Sequence, residues 1–228
     1  MTNPYIIRGC KAFFFFSAIL CLCVGAYAKE EIKRERPSKP FSPLKIPLLE
    51  DPERDTWQKP DEVLNALEIG KDQTVADIGA GSGYLTVKLS ERVGSTGTVY
   101  AVDIQQEMLD YISKRLNDRR LKNVILLLGD MNDPKLPPGS LDIAIFLSTY
   151  HEIAQPVDFM KKIKQALKPH GRIAILEFCD ESPVGPPVKF RLPDEIVIEE
   201  LKQAGFTLLQ RHTFLLPYQY FLVFTPSS

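Results

Sequence analysis

From residue 73 onward, short apolar runs alternate with segments in which apolar residues recur every third or fourth position. The runs predict strands at Thr74–Ile78, Thr98–Asp103, Val124–Leu128, Leu141–Leu147 and 172–178. The recurring positions predict helices that contain Leu85, Leu89 and Val93; Met108, Ile112 and Leu116; residues 156–167; and residues 193–204. Strands this uniformly apolar are buried on both faces, so they should form a parallel sheet with helices on both faces.

Two further apolar segments, 207–215 and 220–224, are joined by a short connection through Pro217. A connection this short joins antiparallel neighbours. The pattern therefore predicts an α/β fold with a seven-stranded, mostly parallel sheet and an antiparallel hairpin at its C-terminal edge.

The N-terminal residues do not share this alternation. Residues 1–28 place Arg8 and Lys11 ahead of an apolar run and end in Ala26-Tyr27-Ala28, which is typical of a secretory signal peptide. Export to the periplasm or the medium is therefore expected. The alternative is an uncleaved membrane anchor with a cytoplasmic body, because basic residues follow the run closely.

Residues 29–54 are rich in charge and proline and predict a tether followed by an extended arm, which leaves 55–228 as the folded domain. Trp57 precedes a predicted helix at 61–67 and either covers a ligand or fastens the arm to the domain. The net charge of −1 and the absence of a basic cluster in the body argue against a nucleic-acid partner. Cys179 is the only cysteine outside the leader and is expected to serve in packing.

The segment 75–84 reads VADIGAGSGY and carries the chemistry. Glycines at alternate positions, Gly79, Gly81 and Gly83, let the backbone leave a strand sharply and approach a ligand. A dinucleotide-binding turn requires G-x-G-x-x-G, but Tyr84 stands where its third glycine belongs. Asp77 would also repel a diphosphate, so a cofactor with positive charge fits better.

The motif VADIGAGSG resembles the first motif of the class I S-adenosylmethionine-dependent methyltransferases, whose cofactor carries a sulfonium and an ammonium group. Three later segments follow in that family's order: VYAVD ending at Asp103, LLLGDM ending at Asp130 and Met131, and LKPHGR at 167–172. The resemblance covers about residues 55–225, implies a Rossmann-like sheet, and extends to quinone-pathway members and to exported bacterial members of unassigned substrate.

The resemblance implies a cofactor site at the carboxyl ends of the strands, with Asp103 on the ribose hydroxyls and Asp130 on the adenine amino group. The predicted cofactor-binding residues are Asp77, Gly79, Ala80, Gly81, Gly83, Asp103, Ile104, Asp130, Met131 and Ser148. His151 is the candidate general base and Tyr150 a second catalytic candidate. Alternatively, His151 caps the next helix or binds backbone.

These features predict in-line transfer of the methyl group of S-adenosylmethionine to a small-molecule, lipid-like or envelope-associated acceptor. The chain has Leu-Ser-Thr-Tyr where DNA amino-methylating enzymes carry an Asn/Asp-Pro-Pro-aromatic turn, and too few carboxylates remain for metal-assisted chemistry, so neither nucleic acid nor metal is expected. Two alternatives remain. One is a non-catalytic binding module on the same fold, since export would separate an enzyme from its cytoplasmic cofactor, and the other is an NAD-dependent oxidoreductase.

Overall fold

The computed structural model of the protein describes residues 34–37 and 39–227. The predicted signal peptide or anchor at 1–28 and the first residues of the predicted tether lie outside this part of the chain. Of the helices in the described ranges, none has the length and apolar character that crossing a membrane requires.

The described chain contains seven strands and six α-helices. The strands are β1 (Thr74–Ile78), β2 (Thr98–Asp103), β3 (Val124–Leu128), β4 (Leu141–Leu147), β5 (Leu167–Phe178), β6 (Phe206–His212) and β7 (Gln219–Pro226). The helices are α1 (Arg54–Gln58), α2 (Pro60–Ala66), α3 (Tyr84–Val93), α4 (Gln106–Arg119), α5 (Pro156–Ala166) and α6 (Asp194–Gln203). Short 3-10 helices lie at Pro43–Leu49, Tyr150–Glu152 and Val188–Phe190.

The strands form one sheet in the order β3-β2-β1-β4-β5-β7-β6. Strands β1 to β5 pair in parallel, and β7 is antiparallel to both β5 and β6. The predicted α/β, Rossmann-like sheet with an antiparallel edge pair is confirmed. Strand order reverses between β1 and β4, and ligands of open α/β sheets bind beside the carboxyl ends of strands at such a reversal.

Helices cover both faces of the sheet. Successive residues of a strand point to opposite faces, so neighbouring residues of the central strands pack against different helices. Ile175 of β5 belongs to a buried cluster that includes Ile163 of α5 and residues of α6. Leu176, the next residue, belongs to the opposite cluster, with Leu89 of α3 and residues of α2. Two apolar layers therefore fix the sheet and leave its carboxyl edge as the place for polar chemistry.

Strand β5 begins earlier than the sequence pattern predicts. Helix α5 ends at Ala166 and the strand starts at Leu167, whereas the pattern predicts a helix through residue 167 and a strand only from residue 172. Leu141 of β4 pairs with Leu167 and Ile143 pairs with Arg172, so the register of β5 against β4 shifts over residues 168–171. The strand from 172 onward pairs as predicted.

The structure differs from the predicted tether over residues 34–54, which we call the arm. The arm contacts segments that follow the carboxyl ends of strands. Arg34 binds the Asp180 carboxylate after β5, with N–O distances of 2.5 and 2.7 Å. Arg36 donates to the carbonyl oxygen of Tyr150 after β4 and to both carboxylate oxygens of Glu200, at 2.7 to 2.8 Å.

Further along, the carbonyl oxygen of Phe41 accepts from the side chain of Gln105, which follows β2, at 2.9 Å. Glu50 then pairs with Arg115 of α4 at 2.6 Å. Charge and proline content favour an extended, solvated segment, whereas here individual charges bind fixed partners on the domain. The arm therefore crosses the carboxyl edge of the sheet.

Replacing Glu200 with alanine should loosen the arm, because Arg36 loses a half-buried, charge-assisted bond of about 1.5–3 kcal/mol. Amide hydrogen exchange over residues 34–50 is expected to become about tenfold faster or more. Glu199→Ala, on the exposed side of the same helix, should leave that exchange unchanged. Equal exchange in the wild type and the Glu200 variant would show that this contact does not hold the arm.

Candidate active site

The glycine-rich turn between β1 and α3 is fixed against the end of β2. Its three glycines have positive φ angles of 69° at Gly79, 55° at Gly81 and 75° at Gly83. The amides of Gly79 and Ala80 both donate to the carbonyl oxygen of Val102, at 2.8 and 3.0 Å. The turn is therefore attached to the neighbouring strand by its backbone.

Only glycine fits at the first position of this turn. A Cβ atom on Gly79 would lie 2.2 Å from Cγ2 of Thr149, and the positive φ would strain any other residue. Above Gly81, Cδ1 of Leu49 lies 3.3 Å from the position that a Cβ atom would take. The arm thus covers the turn directly.

Asp103 closes the turn from the end of β2. Its Oδ2 accepts from the Gly81 amide at 2.9 Å and its Oδ1 from the Gln105 amide at 3.0 Å. Burial raises the pKa of this carboxyl group, and the backbone hydrogen bonds oppose that effect. Each oxygen keeps a second lone pair, so the group can still accept hydroxyl protons from a ribose.

Asp77 lies buried in β1, two residues before the turn. Thr86 Oγ1 donates to its Oδ2 at 2.6 Å. Burial raises the pKa of Asp77 to about 6, against the opposing effects of the Thr86 hydrogen bond and the positive charge of Arg54. A carboxyl group in this condition becomes charged when a cation approaches, so it suits an ammonium group.

The predicted adenine residues lie at the end of β3. The Gly129 amide donates to the carbonyl oxygen of Asp103 at 3.0 Å, which brings Asp130 and Met131 next to the end of β2. Both of these side chains are exposed, as is Ile104, which follows β2. The residues proposed for the ribose and the base therefore share one edge, although their contacts with a cofactor stay a prediction.

Ser148, at the end of β4, terminates a buried polar chain. Its hydroxyl accepts from Nε2 of Gln219 at 2.7 Å, and the amide oxygen of Gln219 accepts in turn from Gln58 of α1. Trp57 stacks on the neighbouring Tyr218 with ring centroids 5.6 Å apart. Trp57 thus joins α1 to the β6–β7 connection, as its predicted fastening role requires, and its role toward a ligand stays a prediction.

His151 and Glu177 form a buried pair beneath this edge. The Nδ1 atom of His151 lies 2.9 Å from Oε2 of Glu177, and the His151 amide donates to Oε1 at 3.2 Å. Burial alone would lower the pKa of His151, but the charge and hydrogen bond of Glu177 outweigh it and raise this pKa above the ordinary value. Because an ionised carboxylate only accepts, Nδ1 carries the proton and Nε2 keeps a basic lone pair.

The structure places Tyr150 in the core instead of among reacting groups. Its side chain is fully buried, its ring packs edge-on to Phe146, and its hydroxyl donates to Glu200 at 2.8 Å. Burial raises the pKa of this phenol, so it stays protonated at neutral pH and does not serve as a base. Tyr150 therefore supports the segment that carries His151 and helps to anchor the arm.

Two residues of the site were not found by sequence reasoning. Glu177 was hidden in a strand, although a lone acid in the apolar run IAILEF is a usable signal. Arg54 lies in the arm between Glu53 and Asp55. Its sequence context is therefore that of a charged, solvated segment. Only the fold shows that each is close to a predicted site residue.

The residues present fit a cationic nucleoside cofactor with an amino-acid tail. Asp103 suits the sugar, Asp77 the ammonium group and the glycine turn the tail. Arg54 adds a buried Nε–H group that lacks a hydrogen-bond partner within the described chain, as expected where an anionic group is to bind.

Comparisons with known proteins agree with this geometry. A family model described as a methyltransferase domain matches residues 69–208. The crystal structure of an S-adenosylmethionine-dependent methyltransferase from Aquifex aeolicus is 32% identical, with a TM-score of 0.78, over 81% of this chain and 98% of that one.

Curated relatives match the central part of the chain. The demethylmenaquinone methyltransferase of Lactobacillus johnsonii is 29% identical over 58% of this chain and 53% of its own length. The ubiquinone/menaquinone biosynthesis C-methyltransferase of Azotobacter vinelandii is 30% identical over 50% of this chain and 46% of its own length. The chain thus spans about half the length of these relatives.

The raised pKa of Asp77 predicts that cofactor affinity depends on pH. An ammonium group favours the ionised carboxylate, so affinity for S-adenosylhomocysteine should fall as the pH drops below about 6, by at most about tenfold per pH unit. Isothermal titration calorimetry between pH 5 and 8 measures this dependence. Asp77→Asn should weaken binding at pH 7.5 and flatten the profile.

Stability should respond in the opposite sense. Because the folded pKa lies above the unfolded one, the contribution of Asp77 to folding is fully present below pH 4 and is lost as the pH rises through about 6. At pH 7.5, Asp77→Asn should therefore raise the melting temperature of the ligand-free protein, while the exposed Asp110→Asn should change neither property. If affinity for S-adenosylhomocysteine depends on pH in the same way in the wild type and in Asp77→Asn, the proposed role of Asp77 is contradicted.

Proposed function

Because this chain belongs to the class I S-adenosylmethionine-dependent methyltransferases, we propose that it methylates a small, lipid-like acceptor with an acidic hydroxyl group, such as a quinol or phenol. The observation that carries the proposal is the His151–Glu177 pair at the carboxyl edge of the sheet. The names of the relatives from Lactobacillus johnsonii and Azotobacter vinelandii, which concern quinones, support this acceptor class.

His151 removes the proton from the acceptor. Glu177 holds Nδ1–H and thereby leaves Nε2 as the proton acceptor, and it stabilises the imidazolium that results. A deprotonated hydroxyl group on an aromatic ring shares its negative charge with ring carbons. The same base therefore serves methylation at oxygen or at carbon.

The remaining residues bind and orient the reactants. When bound, S-adenosylmethionine supplies an electrophilic methyl group on a positively charged sulfur. Asp103 and the glycine turn hold the sugar and the tail, and Asp77 holds the ammonium group. Holding the acceptor in line while the arm excludes water is the main requirement of this reaction.

The aromatic cluster beside Ser148 supports a flat, apolar acceptor. Trp57 stacks on Tyr218 and tilts against Phe178, with centroids 5.6 and 5.9 Å apart. Tyr218 is next to Gln219, whose side chain binds the Ser148 hydroxyl. An aromatic ring can pack on such a cluster at the edge where the cofactor is proposed to bind.

For the place of action, we propose that the leader at 1–28 exports the protein and that the acceptor is associated with the cell envelope. The leader sequence supports this proposal. Intact-mass measurement on protein from the periplasmic and membrane fractions tests it. We expect the mass of a chain that begins at Lys29. A full-length chain found only in the membrane fraction would favour the uncleaved anchor.

Methyl transfer from radiolabelled S-adenosylmethionine to a panel of quinols, phenols and catechols tests the reaction. Turnover is expected with at least one hydroxyl-bearing ring. His151→Ala should lower kcat about 100- to 10,000-fold, as loss of a general base does, while leaving S-adenosylhomocysteine affinity within about threefold. His170→Ala, an exposed histidine, is the matched control. An active His151→Ala enzyme would refute the base assignment.

The pH dependence of His151 tests the positioning role of Glu177. Because Glu177 raises the pKa of His151, Glu177→Gln should lower that pKa, and the acid limb of the rate profile should move to lower pH together with a lower kcat. NMR titration of the imidazole signals measures the shift without any acceptor. An unchanged titration in Glu177→Gln would show that the carboxylate does not tune this histidine.

A further inference from the structure

We propose that Arg54 binds the carboxylate of the amino-acid portion of S-adenosylmethionine. This inference rests on the cofactor use in the proposed function, but not on the acceptor or on the base. It assigns a cofactor-binding role to the arm, which the sequence placed outside the domain.

Arg54, the first residue of α1, packs against the start of α3, the helix that follows the glycine turn. Its guanidinium carbon is 3.8 Å from the centroid of the Tyr84 ring, and Tyr84 is the first residue of α3. Nη1 of Arg54 donates to the carbonyl oxygen of Leu49 at 2.9 Å, and Leu49 covers Gly81. The guanidinium group is thus held next to the turn by a stacked ring and a backbone acceptor.

The hydrogen bonds of this guanidinium group are incomplete. Its Nε atom is buried and has no hydrogen-bond partner among residues 34–37 and 39–227. Burial lowers the pKa of Arg54, although several nearby acids oppose that effect. Since arginine remains charged in proteins, a buried donor without an acceptor indicates a position that an anionic group can occupy.

The neighbouring acids are committed to other groups. Asp55 accepts from the Tyr84 hydroxyl at 2.5 Å and from Nζ of Lys88 at 2.9 Å. Glu50 pairs with Arg115 at 2.6 Å. These carboxylates therefore keep the Tyr84 ring and the arm in place, and the charge of Arg54 has no ion-pair partner in the described chain.

The charges on the two sides of the turn match an amino acid. Asp77 is buried, and burial raises its pKa; the positive charge of Arg54 opposes this rise, so the two groups are electrostatically coupled. An α-amino acid carries an ammonium and a carboxylate on one carbon. Asp77 suits the first and Arg54 the second, and the planar guanidinium group can donate two parallel hydrogen bonds to a carboxylate.

A comparison of cofactors with and without the carboxylate tests the proposal. The dissociation constants of S-adenosylmethionine and decarboxylated S-adenosylmethionine are measured by calorimetry for the wild type, Arg54→Gln, Arg54→Lys and Arg92→Gln. Arg92 is the matched control, because it lies on α3 and binds Asn65 and Asp61 at the surface.

The wild type should bind S-adenosylmethionine about 10- to 100-fold more tightly than the decarboxylated form. Arg54→Gln should reduce this preference to within about threefold by weakening only the intact cofactor, and Arg54→Lys should retain part of it. Arg92→Gln should behave like the wild type. Thermal melting and hydrogen exchange over residues 34–58 verify that the arm remains docked in each variant.

Two results would overturn the proposal: equal weakening of both ligands by Arg54→Gln, which indicates a structural role, or a wild type without preference for the carboxylate. A wild type that binds neither ligand would instead refute cofactor use and with it the proposed function.

Discussion

The site depends on a backbone turn that is held between two strands. The amides of Gly79 and Ala80 both donate to the carbonyl oxygen of Val102, and the Asp103 carboxylate accepts a hydrogen bond from the Gly81 amide. At Gly79, this geometry requires a positive φ angle and leaves no space for a Cβ atom beside Thr149. Only glycine meets both conditions without strain. The acid that is proposed to bind the ribose therefore also holds the turn in position.

The arm completes this edge. Its arginines do not form a solvated run of charge. Arg34 and Arg36 bind carboxylates and carbonyl oxygens at the ends of β5 and β4, and Arg54 rests on the ring at the start of α3. The contacts with Asp180, Tyr150 and Tyr84 follow β5, β4 and β1, so the arm spans the carboxyl ends of these strands. A segment whose composition is that of a linker thus packs against the edge where the cofactor site is predicted.

Local pattern was sufficient to predict the sheet, the helices and the glycine turn, because burial on both faces and alternate glycines leave direct marks in the sequence. Glu177 and Arg54 could not be found in this way. The role of Glu177 depends on its contact with His151, which lies 26 positions earlier in the chain. The role of Arg54 depends on its contact with Tyr84, 30 positions later. Tyr150 is a buried structural residue, and its hydroxyl donates to Glu200, 50 positions away. Such pairs are set by tertiary contact and not by spacing.

A crystal structure of the protein with S-adenosylhomocysteine tests the central claim most directly. The ribose hydroxyls should lie about 3 Å from the carboxylate of Asp103, with the amino-acid tail beside the glycine turn. A nucleoside bound elsewhere, or a ribose that makes no contact with Asp103, would contradict the account.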